Sequence, residues 1–147
     1  MFDTAYLSLI GRLFLGLIFL VSGIHKLADP QGTQQYMTAM GMTWMTMWFY
    51  LGAVAVELGG ALSLLLGYRA RAGAWLLFLF VIPTTLIFHT QFGDPNQMIH
   101  FLKNVSIMGG LLYVANYGAG SLSMDAGLER SNVVTPPPRT LKKVVHQ

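Results

Sequence analysis

The stretch GRLFLGLIFLVSGIHK, residues 11–26, decides the fold. It is an apolar run with a fixed positive charge near each end, Arg12 and Lys26. Arg12, Gly16, Phe19, Gly23 and Lys26 step by 4, 3, 4 and 3, the spacing of one stripe along an α-helix. Leu13, Leu15, Leu17, Ile18, Leu20 and Val21 fill much of the remaining surface. A helix that is apolar almost all round, with one stripe of glycines and cations, turns that stripe toward other helices and gives the rest to lipid. The run from Leu7 to Lys26, at about 1.5 Å per residue, spans about 30 Å, one hydrocarbon thickness. The residues before it contain Asp3 and no Lys or Arg, and no small-residue cleavage site follows. A retained membrane span is therefore expected rather than a signal peptide.

Composition points the same way. The chain has 147 residues, 54% hydrophobic and 10% charged, where a soluble domain carries roughly 25% charged residues to solvate its surface. Mean hydropathy is +0.54. The length allows one domain. With no cysteine the chain offers no disulfide, no thiolate nucleophile and no thiolate metal ligand. The net charge of +3 is not a nucleic-acid signal, because four of the nine basic residues lie in the last eighteen positions and the interior is apolar. The expected partner is the lipid bilayer.

Outward from the first span, Asp29-Pro30 suits a helix N-cap and first position, and Gly41 suits a stop. A short interfacial helix is expected over 30–40, with Tyr36, Met37 and Met40 on one side. Met37, Met40, Met42, Met45 and Met47 crowd this loop. Thioethers at such spacing suit Cu(I), but an adaptable apolar surface beside Trp44, Trp48 and Tyr50 is the preferred reading. Copper is disfavoured, and no metal site is expected.

A second span is predicted over 48–67, with a ridge of small residues, Ala55, Gly59, Ser63 and Gly67, for close helix packing. A third runs over 72–91 and is expected to kink at Pro83. Thr85 and His89 share a face near its end. Asp94, Pro95 and Gln97 repeat the start signal with a capping-box pattern. A fourth span covers 99–118 and opens on HFLKN. The predicted fold is all-α: a four-helix transmembrane domain over 1–125 and a flexible, basic, proline-containing tail over 126–147.

Arg69 and Arg71 lie in the second loop, and Arg130, Arg139, Lys142 and Lys143 near the C-terminus. The positive-inside rule then places both termini in the cytoplasm. In that topology His25, Lys26, His89, His100, Lys103 and Asn104 fall in the outer third, Glu57 near mid-depth and Arg12 deeper. A carboxylate at the depth of Glu57 costs several kcal/mol unless paired or protonated; the expected partner is Arg12 or Lys103. The candidate ligand-binding or buried polar cluster is Arg12, His25, Lys26, Glu57, His89, Lys103 and Asn104. Against it stand blander readings. Lys26 and Arg12 can snorkel, His25 and His100 can be ordinary interfacial residues, and the charges can form a network that only orders the bundle.

The chain resembles the DoxX family at Gly11-Arg12, SGIHK at 22–26 and the following Asp-Pro. It also does so at ELGG at 57–60 followed by Gly67 and Arg71, at Phe88-His89, and at HFLKN followed by Gly109-Gly110. The resemblance covers residues 7–125, in order and with comparable spacing. It implies a small four-helix protein of the bacterial plasma membrane, from a family associated with redox systems, among them quinone-linked oxidation of thiosulfate. Three function classes follow. The first is a subunit or anchor of a membrane redox system, with a quinone or lipid-like ligand in the outer half of the bundle. The second is a non-catalytic scaffold or assembly protein, and the third a small transporter or channel, for which four spans are few. The isolated chain is not expected to be an enzyme by itself. Its expected partners are an oxidoreductase subunit, membrane-bound or soluble, or further copies of itself. Haem on His25, His89 or His100 is geometrically conceivable but disfavoured, since no CxxCH is present.

Overall fold

A computed structural model describes residues 4–133. Helix α1 spans Thr4–Ala28, α2 Pro30–Ala39, α3 Thr46–Leu66, α4 Ala70–Phe88, α5 Pro95–Tyr117 and α6 Met124–Val133; there is no strand among the described residues. Helices α1, α3, α4 and α5 are long and apolar enough to cross a membrane. The four expected spans are therefore present, each displaced by a few residues at its ends. Outward faces carry Phe14, Leu17, Val21, Leu79 and Leu86, all exposed, as lipid-facing positions should be.

The stripe read in the first span is the face that packs. Arg12, Gly16, Phe19 and Gly23 are the buried residues of α1. The glycines bring α1 onto α3: a Cβ on Gly16 would meet Leu65, and one on Gly23 would meet Leu58. Helix α4 lies between α3 and α5. Gly60 accepts the side chain of Leu77, and Gly73 that of Ser63, so α3 and α4 approach closely. Ala61, Leu64, Ala70, Ala74, Leu77 and Leu111 are fully buried between these helices.

The predicted ridge on the second span divides: Ser63 packs against Gly73 and Gly67 is buried beside Arg12, while its first half turns outward. Ala55 and Gly59 are exposed, and nothing lies within 4 Å of a Cβ on Gly59. The buried face of α3 is instead Tyr50, Ala53, Val54, Glu57, Gly60, Ala61 and Leu64. Pro83 lies inside α4, which is continuous from Ala70 to Phe88. Thr84 and Thr85 donate their hydroxyls to Phe80 O and Val81 O around that position.

The loop signals hold in part. The Asp29 carboxylate accepts from Gly32 N at 2.9 Å and caps α2. Gly41, at φ 91°, takes the left-handed turn after α2. Met37 is buried against α3, and Tyr36 stacks on Phe88 with ring centroids 5.6 Å apart. Asp94 caps α5 through Asn96 N at 2.9 Å. The capping-box reading of Gln97 is corrected: its side chain bonds His89 instead.

The expected tail over 126–147 begins later than its predicted boundary. Residues 124–133 form α6, and residues 134–147 lie outside the described residues. Ser123 starts α6 by accepting from Ala126 N, and Asp125 stands in the first turn with Arg130 in the last, both favourable to the helix dipole. Tertiary contacts then anchor it. The Asp125 carboxylate accepts from Arg69 N at 2.7 Å and Ala70 N at 3.0 Å, so a residue of α6 caps the start of α4.

Candidate ligand-binding site

The expected partners of Glu57 were Arg12 and Lys103; the structure gives it to Lys26. The Lys26 ammonium donates to both Glu57 oxygens at 2.9 Å and to Ser22 Oγ at 2.7 Å, and Ser22 donates to Glu57 Oε1 at 3.2 Å. The side chains of Lys26 and Glu57 are 20% and 6% exposed. Lys26 thus turns inward rather than snorkelling. Ser22 precedes Lys26 by one helical turn, so α1 supplies two donors to one carboxylate from α3. The Tyr50 hydroxyl donates to Lys26 O at 3.2 Å and ties the end of α1 to α3. A buried pair stands only when its remaining donors and acceptors are satisfied, and this triad satisfies them.

Arg12 leaves the predicted cluster. It is 1% exposed, at the other end of the bundle. Its Nη1 donates to Leu64 O at 2.7 Å and its Nη2 to Leu122 O at 2.8 Å. One guanidinium thereby closes the last turn of α3 and fixes the segment between α5 and α6. Gly67, at φ 65°, leaves the space that the guanidinium occupies. Arg12 Nε has no hydrogen-bond partner among the described residues. Arg12 holds helices together and does not meet Lys26, Glu57 or Lys103.

The other six predicted residues, His25, Lys26, Glu57, His89, Lys103 and Asn104, line one cavity of about 660 Å³. Its walls are largely apolar: Ile18 and Phe19 from α1, Phe80, Val81 and Ile87 from α4, and Ile107 from α5. Tyr36 and Met37 of α2 contribute a further side. Helices α1 and α5 come together at Leu15, which a Cβ on Gly110 would approach to 3.0 Å. Farther along, Ser22 and Lys26 of α1 line the cavity with Lys103 and Asn104 of α5. The cavity thus separates the two helices over the half that carries the polar groups.

On the α4–α5 side the polar residues form a connected set. His89 Nδ1 lies 2.8 Å from Gln97 Oε1. With the Gln97 amide oxygen facing it, Nδ1 is the ring nitrogen that donates in this contact, which leaves Nε2 turned to other partners. The His89 ring stacks on His100 at 5.2 Å between centroids. Lys103 Nζ donates to His100 Nδ1 at 3.1 Å. Asn104 donates to Thr85 Oγ1 at 3.0 Å, which fixes its amide against buried Thr85. Ser22, Tyr50 and Gln97 were not among the predicted residues. Ser22, one helical turn before Lys26 and beside the charged stripe, was the available signal for the first; the other two depend on packing.

The chamber is apolar, with an ion pair on one wall and a Lys–His–Asn set on the other. Among the described residues no group of three His, Cys, Asp or Glu side chains is placed to hold a metal ion. The DoxX family profile matches residues 7–90, more than half of the chain. The chain belongs to the DoxX family. Its relatives extend the match beyond that region. The inner membrane protein YqjF of Escherichia coli (strain K12) is 33% identical over 122 residues, covering 83% of this chain and 92% of that protein. The inner membrane protein YphA of the same organism is 38% identical over 125 residues, covering 81% and 88%. The ER-derived vesicles protein ERV29 of Saccharomyces cerevisiae is 31% identical over 91 residues, 58% of this chain but only 28% of its own length. No solved structure matches this DoxX chain. With four apolar spans and inner-membrane relatives, this DoxX protein is a multi-pass inner membrane protein.

Proposed function

We propose that this DoxX protein is a subunit or anchor of a membrane redox system and holds a quinone, or a lipid with a quinone-like head, in the cavity between α1 and α5. The cavity itself carries the reading: about 660 Å³ of mostly apolar space, with donors and a protonatable ring on its polar walls. Quinone carbonyls need hydrogen-bond donors, and Lys103 offers one whose present acceptor is a histidine rather than a carboxylate. His89 can take a proton at Nε2 while Gln97 holds Nδ1. The Lys26–Glu57 pair keeps a charge-neutral floor under the ring. The ligand enters sideways from lipid, and its tail stays outside. The chain has no cysteine, so any sulfur chemistry in such a system belongs to a partner.

The test is extraction and mass analysis of lipids co-purifying with gently solubilised protein. Wild type should carry an enriched quinone. Lys103→Met and His89→Leu fill similar apolar volume and should lose it while remaining folded. No enrichment in wild type would favour a scaffold whose charges only order the bundle.

Orientation is part of the same proposal. The first residues of α1, the α3–α4 turn and the segment after α5 gather at one end, joined by Ser8 Oγ to Ala119 O, Arg12 to Leu122 O and Asp125 N to Gly67 O. Arg69, Arg71 and Arg130 decorate that end, and the positive-inside rule puts it in the cytoplasm. A reporter fused after Gln147 should score cytoplasmic; a periplasmic score would invert the topology and put the cavity on the inner side.

A further inference from the structure

At the end opposite the cavity, a groove of about 1080 Å³ is lined by Arg69, Arg71, Tyr117, Ser121, Asp125 and Arg130, among others. Among the described residues the one ion pair is Lys26–Glu57, so none of these three arginines is neutralised by a carboxylate contact. The groove's own carboxylates are Asp125 and Glu129. Asp125 is already committed to the backbone N–H groups of Arg69 and Ala70. The remaining sequence, residues 134–147, adds Arg139, Lys142 and Lys143 and no Asp or Glu.

Arg71 is set in place by the backbone beneath it. A Cβ on Gly118, at φ 81°, would come 3.1 Å from Arg71 Nε, so the guanidinium lies over a bare glycine. Arg71, Trp75 and Leu79 are four apart on one face of α4, and Trp75 and Leu79 are exposed. Tyr113 and Tyr117 are exposed on α5. Cationic forks at the membrane end of two spans, continuing into exposed aromatic and aliphatic faces, match a phosphate head joined to acyl chains.

We infer that this groove binds an anionic phospholipid, with its phosphate held by Arg71, Arg69 and Arg130 and its chains along α4 and α5. This is independent of the quinone reading and concerns other residues. The test is native mass spectrometry of the full chain released from micelles containing phosphatidylglycerol or phosphatidylcholine with the same acyl chains. Wild type should retain phosphatidylglycerol about fivefold better per engaged arginine. Arg71→Gln should cut that preference about fivefold, Arg71→Gln with Arg130→Gln should cut it further to about the fivefold that Arg69 alone supplies, and Arg71→Lys should keep most of it. These are exposed side chains, so unchanged melting should accompany the loss. Equal retention of the two lipids by wild type, or an undiminished preference in the double variant, would overturn the proposal. So would inorganic phosphate alone raising the melting temperature as far as phosphatidylglycerol does, since the site would then take a free anion.

Discussion

Glu57→Ala should destabilise the bundle by about 3 kcal/mol in mild detergent, the cost of leaving one member of a buried ion pair without the other. The carboxylate accepts three hydrogen bonds, two from Lys26 and one from Ser22, and alanine removes them all. Glu57→Gln should cost less, because the amide oxygen still accepts from the ammonium. Lys26→Met should also be costly, since a short carboxylate that is 6% exposed is left buried without its cation. The double variant Lys26→Met with Glu57→Leu should recover much of the loss, because no unpaired charge remains. Unfolding monitored by circular dichroism, run as a double-mutant cycle, reads all four values. Additive losses in the double variant would show that the two residues do not depend on each other.

Arg12→Ala should destabilise by a comparable or larger amount, about 3–5 kcal/mol. Each charge-assisted hydrogen bond is worth about 1.5–3 kcal/mol, and Arg12 makes two, to Leu64 O and Leu122 O. The substitution also opens a void beside Gly67, where the guanidinium now sits. Arg12→Lys keeps the charge but has no fork to span two carbonyls from different segments, so it should fall between alanine and wild type. The same unfolding measurement checks this. The distinguishing sign is location: hydrogen exchange in the Arg12→Ala protein should rise first at the end of α3 and in α6, not around Glu57. Uniform exchange across the chain would contradict a local clamp.

Much of this fold was legible because lipid imposes simple rules on sequence. Long apolar runs located α1, α3, α4 and α5, and the 4-3-4-3 stripe named the buried face of α1 residue by residue. Asp-Pro pairs placed the starts of α2 and α5. The partner of Glu57 was not legible, because Arg12, Lys26 and Lys103 were all cations on packing faces. Choosing among them requires the rotation of α3, and only the Ser63 and Gly67 half of the small-residue ridge faces inward. Helix α6 was hidden for a different reason. Its sequence is polar and short, and much of its anchoring comes from the Asp125 contact with the start of α4. Ser123 followed by Asp125 was the local signal for it. Six residues of the polar cluster do share one cavity, since helices of similar length that reverse direction at short loops must bring α1's end, α4's end and α5's start to one level. Arg12 lies nearly four turns from Lys26 on the same helix, and its separation from the cluster follows from that spacing.

Photolabelling of membranes containing the protein with an azido-quinone, followed by peptide mapping, tests directly whether the cavity holds a quinone. Adducts are expected on the cavity walls, in the segments containing Ser22 to Lys26, Tyr36 and Met37, and His89 to Asn104. Excess unlabelled quinone should suppress those adducts, and Lys103→Met should remove them. Labelling spread over outward residues such as Leu17, Leu79 and Leu86, without competition by unlabelled quinone, would contradict a quinone site in this cavity.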